Sequence, residues 1–325
     1  MRINAVFEGG GVKGISLVGA VHSAEQHGMT FNRVAGTSSG SIVASFLAAG
    51  YTAEEMERLI LEMPFSSFLQ RAPIFQIKWI GSAMRLLWKK GLYSGEALEK
   101  WVHDCLLKKG IRTFGDLKKE QLRIIASDIT NGRLMVLPDD IANYGIDPES
   151  FLVSKAIRMS TSIPYFFDPV ILRAPFEVKN GRTKKFADQF SYIVDGGMLS
   201  NFPLWLFDDD IDPRTSRLIP TIGFQMVGMQ SGQPHQITGL ITMLQAMVST
   251  MISAHDQRYI DKQNRFRTIK IPTLGIGTTD FDLTVEQSMA LYESGEKAGN
   301  AFFEQWTRDA YEKMYKVLCC GKTKI

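Results

Sequence analysis

Gly36-Thr37-Ser38-Ser39-Gly40 follows the short apolar run Val34-Ala35 and leads into Ser41-Ile42-Val43-Ala44-Ser45-Phe46-Leu47-Ala48-Ala49. The stretch fits G-x-S-x-G and reads as strand, tight turn and helix. The glycines remove Cβ atoms that would obstruct the bend, and a serine at its apex has its hydroxyl pushed clear of the backbone. The helix that follows directs its free N–H groups at the same spot, which suits a negative charge developing there. Ser38 is the candidate nucleophile on this reading. An ordinary Gly/Ser turn has the same five residues, so the rest of the chain must show whether anything needs a serine here.

Upstream, Ile3 to Phe7 reads as a buried strand ending at Glu8, followed by Gly9-Gly10-Gly11-Val12-Lys13-Gly14 and an apolar helix from about Ile15 to Gln26. This is G-x-G-x-x-G between a strand and a helix. A dinucleotide site also needs an acidic residue about twenty positions on, to hold the ribose. None occurs between Glu25 and Glu54, and the second strand ends in Gly36-Thr37-Ser38. A phosphate loop fails as well, because Gly14 is followed by Ile15-Ser16 rather than Lys and Ser/Thr. No nucleotide cofactor is expected. What remains is a glycine-rich turn presenting backbone N–H groups to an anion at a helix start. Parallel strands end at one sheet edge, so the two turns face each other there. If Ser38 attacks an ester, the anion is the tetrahedral oxyanion.

Downstream, Thr52-Ala53-Glu54-Glu55 is a capping box opening a helix to about Met63. Residues 64 to 93 hold no acidic residue but carry Arg71, Lys78, Arg85, Lys89 and Lys90 among Phe65, Phe68, Phe75, Trp79, Trp88 and Tyr93. On a helical wheel Ile77, Ile80, Met84, Leu87 and Trp88 share a face flanked by Lys78, Arg85 and Lys89. Two readings stand: a membrane-facing lid, or an insertion packing its apolar face on the core. Ser94 reads as the cap of a helix to about Lys108, which closes a helical insertion at about 64–110. Gln121 to Ile129 reads as a strand turning at Asn131-Gly132 into Leu134–Leu137, and Asp147-Pro148 as the start of a helix that stops before Pro164. Tyr192-Ile193-Val194 is a short buried strand ending in Asp195-Gly196-Gly197. Taken alone, that tripeptide is a turn. Ile219–Gln225 and Arg265–Ile271 read as strands, and Thr284-Val285-Glu286-Gln287 caps a helix to about Tyr315. Met243, Met247 and Met251 read as core packing on a helix. Alternating strands and helices indicate a three-layer α/β/α fold with a largely parallel central sheet.

A chain of 325 residues, 45% hydrophobic, is read as one α/β domain with insertions. Its net charge of +3 is too mild for nucleic acid. Cys105, Cys319 and Cys320 form no disulfide framework or metal spacing, which suits a reducing compartment. Cys319-Cys320 beside Lys322 and Lys324 reads as a frayed tail rather than an acylation site. No leader and no apolar run long enough to span a bilayer is seen, so the expectation is a cytoplasmic protein that at most lies on a membrane.

Taken in order, Gly9-Gly10-Gly11-Val12-Lys13-Gly14, Gly36-Thr37-Ser38-Ser39-Gly40 and Asp195-Gly196-Gly197 resemble the motifs of the patatin-like phospholipase family. Ser160-Thr161-Ser162-Ile163-Pro164, Asn201 and Pro203 add to the likeness, which covers residues 3–205 well and the last third loosely. The resemblance implies a core of residues 1–205, with residues 206–325 completing the same domain. It implies a Ser–Asp dyad in which Ser38 is the nucleophile and Asp195 the proton acceptor. It places the oxyanion hole at the N–H groups of Gly10, Gly11 and Val12, with Lys13 ordering the loop. It implies hydrolysis of lipid acyl esters through an acyl-serine, without metal or cofactor, at a membrane surface.

Two other readings stay open. An α/β-hydrolase triad would draw its base from His235 or His255, since His22, His27 and His103 precede the aspartate. A lipid-binding module without catalysis would keep the fold alone. Aspartate is a weak base for an alcohol, so a dyad implies slow turnover that improves at a lipid interface. Asp208-Asp209-Asp210-Ile211-Asp212 reads as a solvated loop before Pro213. Trp205, Trp306 and Phe166-Phe167 read as core or acyl-channel lining.

Overall fold

The computed structural model of the chain describes residues 1–63, 91–173, 178–179, 182–183, 189–228, 237–239, 243–244, 246–248, 250–251, 264–278, 280 and 282–318. In chain order they include β1 (Arg2–Phe7), α1 (Ile15–Gln26), β2 (Thr30–Thr37), α2 (Ser39–Ala48), α3 (Ala53–Leu61), β3 (Gly91–Tyr93) and α4 (Glu96–Lys108). Then come β4 (Leu122–Asp128), β5 (Arg133–Leu137), α5 (Val153–Ser160), β6 (Tyr165–Phe167), β7 (Val170–Arg173), the short pair β8 (Val178–Lys179) and β9 (Arg182–Thr183), and β10 (Phe190–Asp195). The last third supplies β11 (Thr221–Val227), β12 (Thr268–Pro272), α6 (Val285–Phe303) and α7 (Arg308–Leu318).

The central sheet runs β12-β11-β1-β2-β4-β10-β7, with β5 also on β4. The neighbours from β12 to β4 are parallel, and β10, β7 and β5 join antiparallel. A largely parallel sheet flanked by helices is therefore what the sequence folds into. Strand alternation decides the two faces. Ile3, Ala5 and Phe7 enter a core shared with α1, α2 and α6, whereas Val6 and Ala35 turn the other way, under Phe202, Leu204 and Phe207.

One feature of β4 places the site. β5 occupies one edge of β4 from Ile124 to Asp128. The other edge is shared end to end: β2 pairs in parallel with Leu122–Ile125, and β10 pairs antiparallel with Ala126–Asp128. Thr37 stands opposite Ile125 and Asp195 opposite Ala126. The two strands run towards each other, so their C-terminal ends meet. The residue that follows Thr37 is Ser38.

Several local expectations are corrected. The helix expected from Asp147-Pro148 begins only at Val153, because segment 112–115 claims the intervening backbone. Gly115 N–H donates to the Glu149 carbonyl (2.8 Å), Phe114 N–H to Phe151 (3.0 Å), and Val153 N–H to Arg112 (3.1 Å). Ser94 does accept from Glu96 N–H (3.3 Å), but Gly95 takes the cap position. The described part of the 64–110 insertion opens with β3, paired in parallel with β6, before α4. Residues 64–90, which carry most of the candidate lid, lie outside the described residues, as do Cys319, Cys320, His235 and His255. The C-terminal helix is two helices, and the Thr307 hydroxyl accepts from Ala310 N–H (3.3 Å) at the restart. Met243, Met247 and Met251 are 40%, 54% and 46% exposed, so the stripe is not core. Trp205 is also exposed. The acidic run is not simply solvated: Asp208 pairs with Arg267, Asp210 with Arg33 and Asp212 with Arg2. The capping boxes at Thr52–Glu55 and Thr284–Gln287 are both formed.

Candidate active site

Ser38 is the residue between β2 and α2, with φ 52° and ψ −127°. A non-glycine residue in that region is strained by about 1–3 kcal/mol and persists only where its surroundings hold it. Here they do. Its carbonyl accepts from Ser41 N–H (2.9 Å) and from the Ser41 hydroxyl (2.6 Å), and its N–H donates to Ser160 Oγ (2.9 Å). The first turn of α2 lies directly on the end of β1: a Cβ on Gly40 would stand 2.4 Å from the Phe7 carbonyl oxygen. Only glycine permits that approach, which brings the loop after β1 alongside Ser38.

That loop is tied to the elbow and to the last third of the chain. Gly10 N–H donates to Ser39 Oγ (3.1 Å) and Val12 N–H to the Thr278 carbonyl (3.2 Å). Gly11 N–H has no acceptor among the described residues. Gly11 has φ +60°, and a Cβ there would lie 2.0 Å from the Thr278 oxygen. Lys13 closes the turn, its N–H on the Gly10 carbonyl (3.4 Å) and its own carbonyl accepting from Ser16 Oγ (2.9 Å). Gly9 is held by a pair of bonds to Asn201: Gly9 N–H to the Asn201 carbonyl (3.3 Å) and Asn201 Nδ2 to the Gly9 carbonyl (3.0 Å).

Asp195 ends β10 and is 1% exposed. Its Oδ1 accepts from Gly197 N–H (2.8 Å), the bond that the glycine pair after it provides, and its own N–H donates to the Ser162 carbonyl (2.9 Å). Oδ2 is buried without a hydrogen bond of full geometry among the described residues. The Ser38 hydroxyl faces the carboxylate and, after burial, has the largest influence on its acidity. Burial pushes the pKa up; the Ser38 hydroxyl and Gly197 N–H pull it partly back, leaving it at about 6 against an ordinary 3.8.

Two of the described histidines are engaged elsewhere. His22 meets the Tyr292 hydroxyl (2.7 Å) and His27 the Ser23 carbonyl (2.8 Å), both on the α1–α6 face, and His103 lies on α4. Beside Ser38 opens an apolar cleft walled by Ile42, Ile60, Met63, Leu98, Ile163 and Phe167. Phe167 thus lines this cleft. Sequence reasoning missed the parts played by Ser39 Oγ and the Thr278 carbonyl; no local pattern marks either as a partner of the glycine loop.

The sheet order and the elbow define an α/β protein with a serine presented between a strand end and a helix start. Residues 5–208 match the patatin-like phospholipase family, and the chain belongs to it. It is 42% identical over 312 residues to the uncharacterized protein YqhO of Bacillus subtilis (strain 168), covering 94% of this chain and 100% of that one. It is 25% identical over 209 residues to the probable lipid hydrolase 463L of Invertebrate iridescent virus 6, 61% of each chain. Among solved structures, VipD from Legionella pneumophila is similar at a TM-score of 0.52 and 16% identity, over 93% of this chain and 66% of that one. At that identity the likeness is one of fold.

Proposed function

We propose that this protein is a serine acyl hydrolase that cleaves acyl esters of phospholipids or related lipids through an acyl-Ser38 intermediate. The observation that carries the reading is the buried Asp195 carboxylate, which the Ser38 hydroxyl faces where β2 and β10 meet. Ser38 Oγ attacks the ester carbonyl carbon as its proton passes to Asp195. The oxyanion is held by the N–H groups of Gly10, Gly11 and Val12; that of Gly11 has no acceptor among the described residues, while the other two exchange Ser39 Oγ and the Thr278 carbonyl for it. Each such donor is worth roughly two to three orders of magnitude in rate. Collapse breaks the bond to the alcohol, which leaves with the proton from Asp195. Water then attacks the acyl-serine, Asp195 takes its proton, and the fatty acid departs as Ser38 is restored.

Asp195 must be ionised to accept a proton. Its pKa of about 6 makes it a stronger base than an ordinary aspartate. On a soluble ester, kcat/KM is therefore expected to rise as pH climbs through about 6 and to level above about pH 7. A plateau extending down to pH 4 would contradict Asp195 as the base.

The apolar cleft suits one acyl chain. Burying each methylene contributes about 0.8 kcal/mol, roughly a fourfold effect on affinity. Across p-nitrophenyl acetate, butyrate, hexanoate and octanoate, kcat/KM is expected to rise stepwise until the cleft is filled. The peripheral membrane surface is the proposed place of action, on the strength of the basic and aromatic composition of residues 64–93. Product analysis on a defined mixed-acyl phosphatidylcholine tests the whole reading: free fatty acid and lysolipid support it, and release of head group alone contradicts it.

A further inference from the structure

We propose that the turn Ser160-Thr161-Ser162 is a positioning element that sets the geometry between Ser38 and Asp195, with the Ser160 hydroxyl replacing one rung of the β2–β4 ladder. The inference rests on the hydrolase reading above.

The register shows the missing rung. Val34 stands opposite Leu122 and its N–H donates to the Gln121 carbonyl (2.8 Å). In a parallel ladder every second residue repeats that bond. Two residues on, Gly36 would reach the Arg123 carbonyl, and two further, Ser38 would reach Ile125. At Ser38 the rung is opened by a hydroxyl instead: Ser38 N–H donates to Ser160 Oγ (2.9 Å), which donates onward to the Ile125 carbonyl (2.5 Å). Inserting one oxygen between N–H and C=O lifts Ser38 off β4 and lets it adopt φ 52°. Ser160 is 0% exposed, so no water takes over if the hydroxyl is lost without space being made.

Two residues later the same turn grips the other partner: the Ser162 carbonyl accepts from Asp195 N–H (2.9 Å). The turn itself is pinned from below by Arg158, which is 4% exposed. Ser162 Oγ donates to the Arg158 carbonyl (2.5 Å) and accepts from Arg158 Nη1, while Nη2 reaches the carbonyls of Asp168 (2.7 Å) and Ser94. A buried guanidinium thus ties two carbonyls, of Ser94 and Asp168, to the Ser162 hydroxyl of one turn, and that turn holds both N–H groups that orient Ser38 and Asp195. An error of about 1 Å in such a pair costs on the order of a hundredfold in rate.

The test compares Ser160→Ala with Ser23→Ala, which removes another fully buried hydroxyl, bonded to Asn300 Oδ1 (2.7 Å) between α1 and α6. For p-nitrophenyl butyrate, Ser160→Ala is expected to lower kcat roughly 30- to 100-fold, with KM within about twofold. Its acid limb is expected to move to higher pH, because Asp195 loses the Ser38 hydroxyl that holds its pKa down. Ser23→Ala is expected to lose comparable thermal stability with kcat and acid limb unchanged. Equal kcat and equal acid limbs in the two variants would reduce Ser160 to a structural hydroxyl and overturn the proposal. Should Ser160→Ala fail to fold, Ser160→Thr and Ser160→Cys decide. The threonine is expected to keep activity and the weakly bonding thiol to lose it; equal activity overturns the proposal. Ser38→Ala in parallel separates the two levels. If it still hydrolyses the ester, the hydrolase reading has failed; if it is inactive while Ser160→Ala resembles Ser23→Ala, only the positioning role has.

Discussion

Ser38→Ala is expected to lower ester hydrolysis by roughly 10⁴-fold or more, to the level of the glycine loop and binding alone. The same variant is expected to fold. Alanine at φ 52° carries no more backbone strain than serine does, and the bonds that hold the elbow run through the main chain: Ser38 N–H to Ser160 Oγ, and Ser41 to the Ser38 carbonyl. The side chain lost is one hydroxyl facing a carboxylate. Paired measurements of turnover on p-nitrophenyl butyrate and of thermal melting separate the effects. Loss of activity with a melting temperature within about 2 °C of the parent, the shift that ~1 kcal/mol causes in a large domain, is the expected pair. Residual activity above a hundredth of the parent would remove Ser38 from the chemistry.

Asp195→Asn is expected to be nearly as damaging and, above pH 6, to make the protein more stable. Asparagine keeps the shape and leaves an oxygen for Gly197 N–H, but it cannot accept the Ser38 proton; general-base loss of this kind costs about 10²- to 10⁴-fold. The stability gain follows from the raised pKa. Folded Asp195 holds its proton up to about pH 6, whereas an ordinary aspartate releases it near 3.8. Between those values the folded state binds more protons than the unfolded, so the contribution of Asp195 to stability falls as pH rises from about 4 to 6 and stays low above. Two pH units correspond to roughly 3 kcal/mol at most. Asparagine does not titrate. Melting curves of the variant and the parent are thus expected to lie close at pH 4 and to separate in the variant's favour by pH 8. Parallel curves across that range would mean that the carboxylate is not held against its solvation. The site would then lack the tension that makes Asp195 a base.

Much of the first half of the fold was legible because local signals agreed with their surroundings. The apolar run before Glu8, the glycine turn, the helix from Ile15, and the elbow at Ser38 each carry their own pattern, and both capping boxes formed where the sequence put them. Asp147-Pro148 shows the limit. Its helix-start chemistry is sound, yet the carbonyls it needed were taken by residues 112–115, far away in sequence. Met243, Met247 and Met251 show another: a period of four identifies a helix face but not what that face meets. At the site, the turns at Ser38 and Gly9–Gly14 could be read from their own residues, whereas Asp195 stood out only through the resemblance carried by the three motifs in order. That β10 arrives antiparallel on the edge β2 has just left, so that Thr37 and Asp195 stand opposite consecutive residues of β4, depends on strand order. Ser160 was visible only as part of a familiar-looking string; its place in the open rung is a matter of register, which hydrophobic patterning does not encode.

The reading stands or falls on whether Ser38 is a nucleophile activated by Asp195 rather than by an imidazole. Treating the folded protein with a fluorophosphonate in the presence of phosphatidylcholine vesicles, and mapping the adduct by peptide mass, addresses this directly. The expected result is a single adduct on Ser38, absent in Ser38→Ala, formed at least a hundredfold more slowly in Asp195→Asn, and formed at the parental rate in His235→Ala and His255→Ala. An adduct that forms normally in Asp195→Asn and disappears in either histidine variant would contradict it.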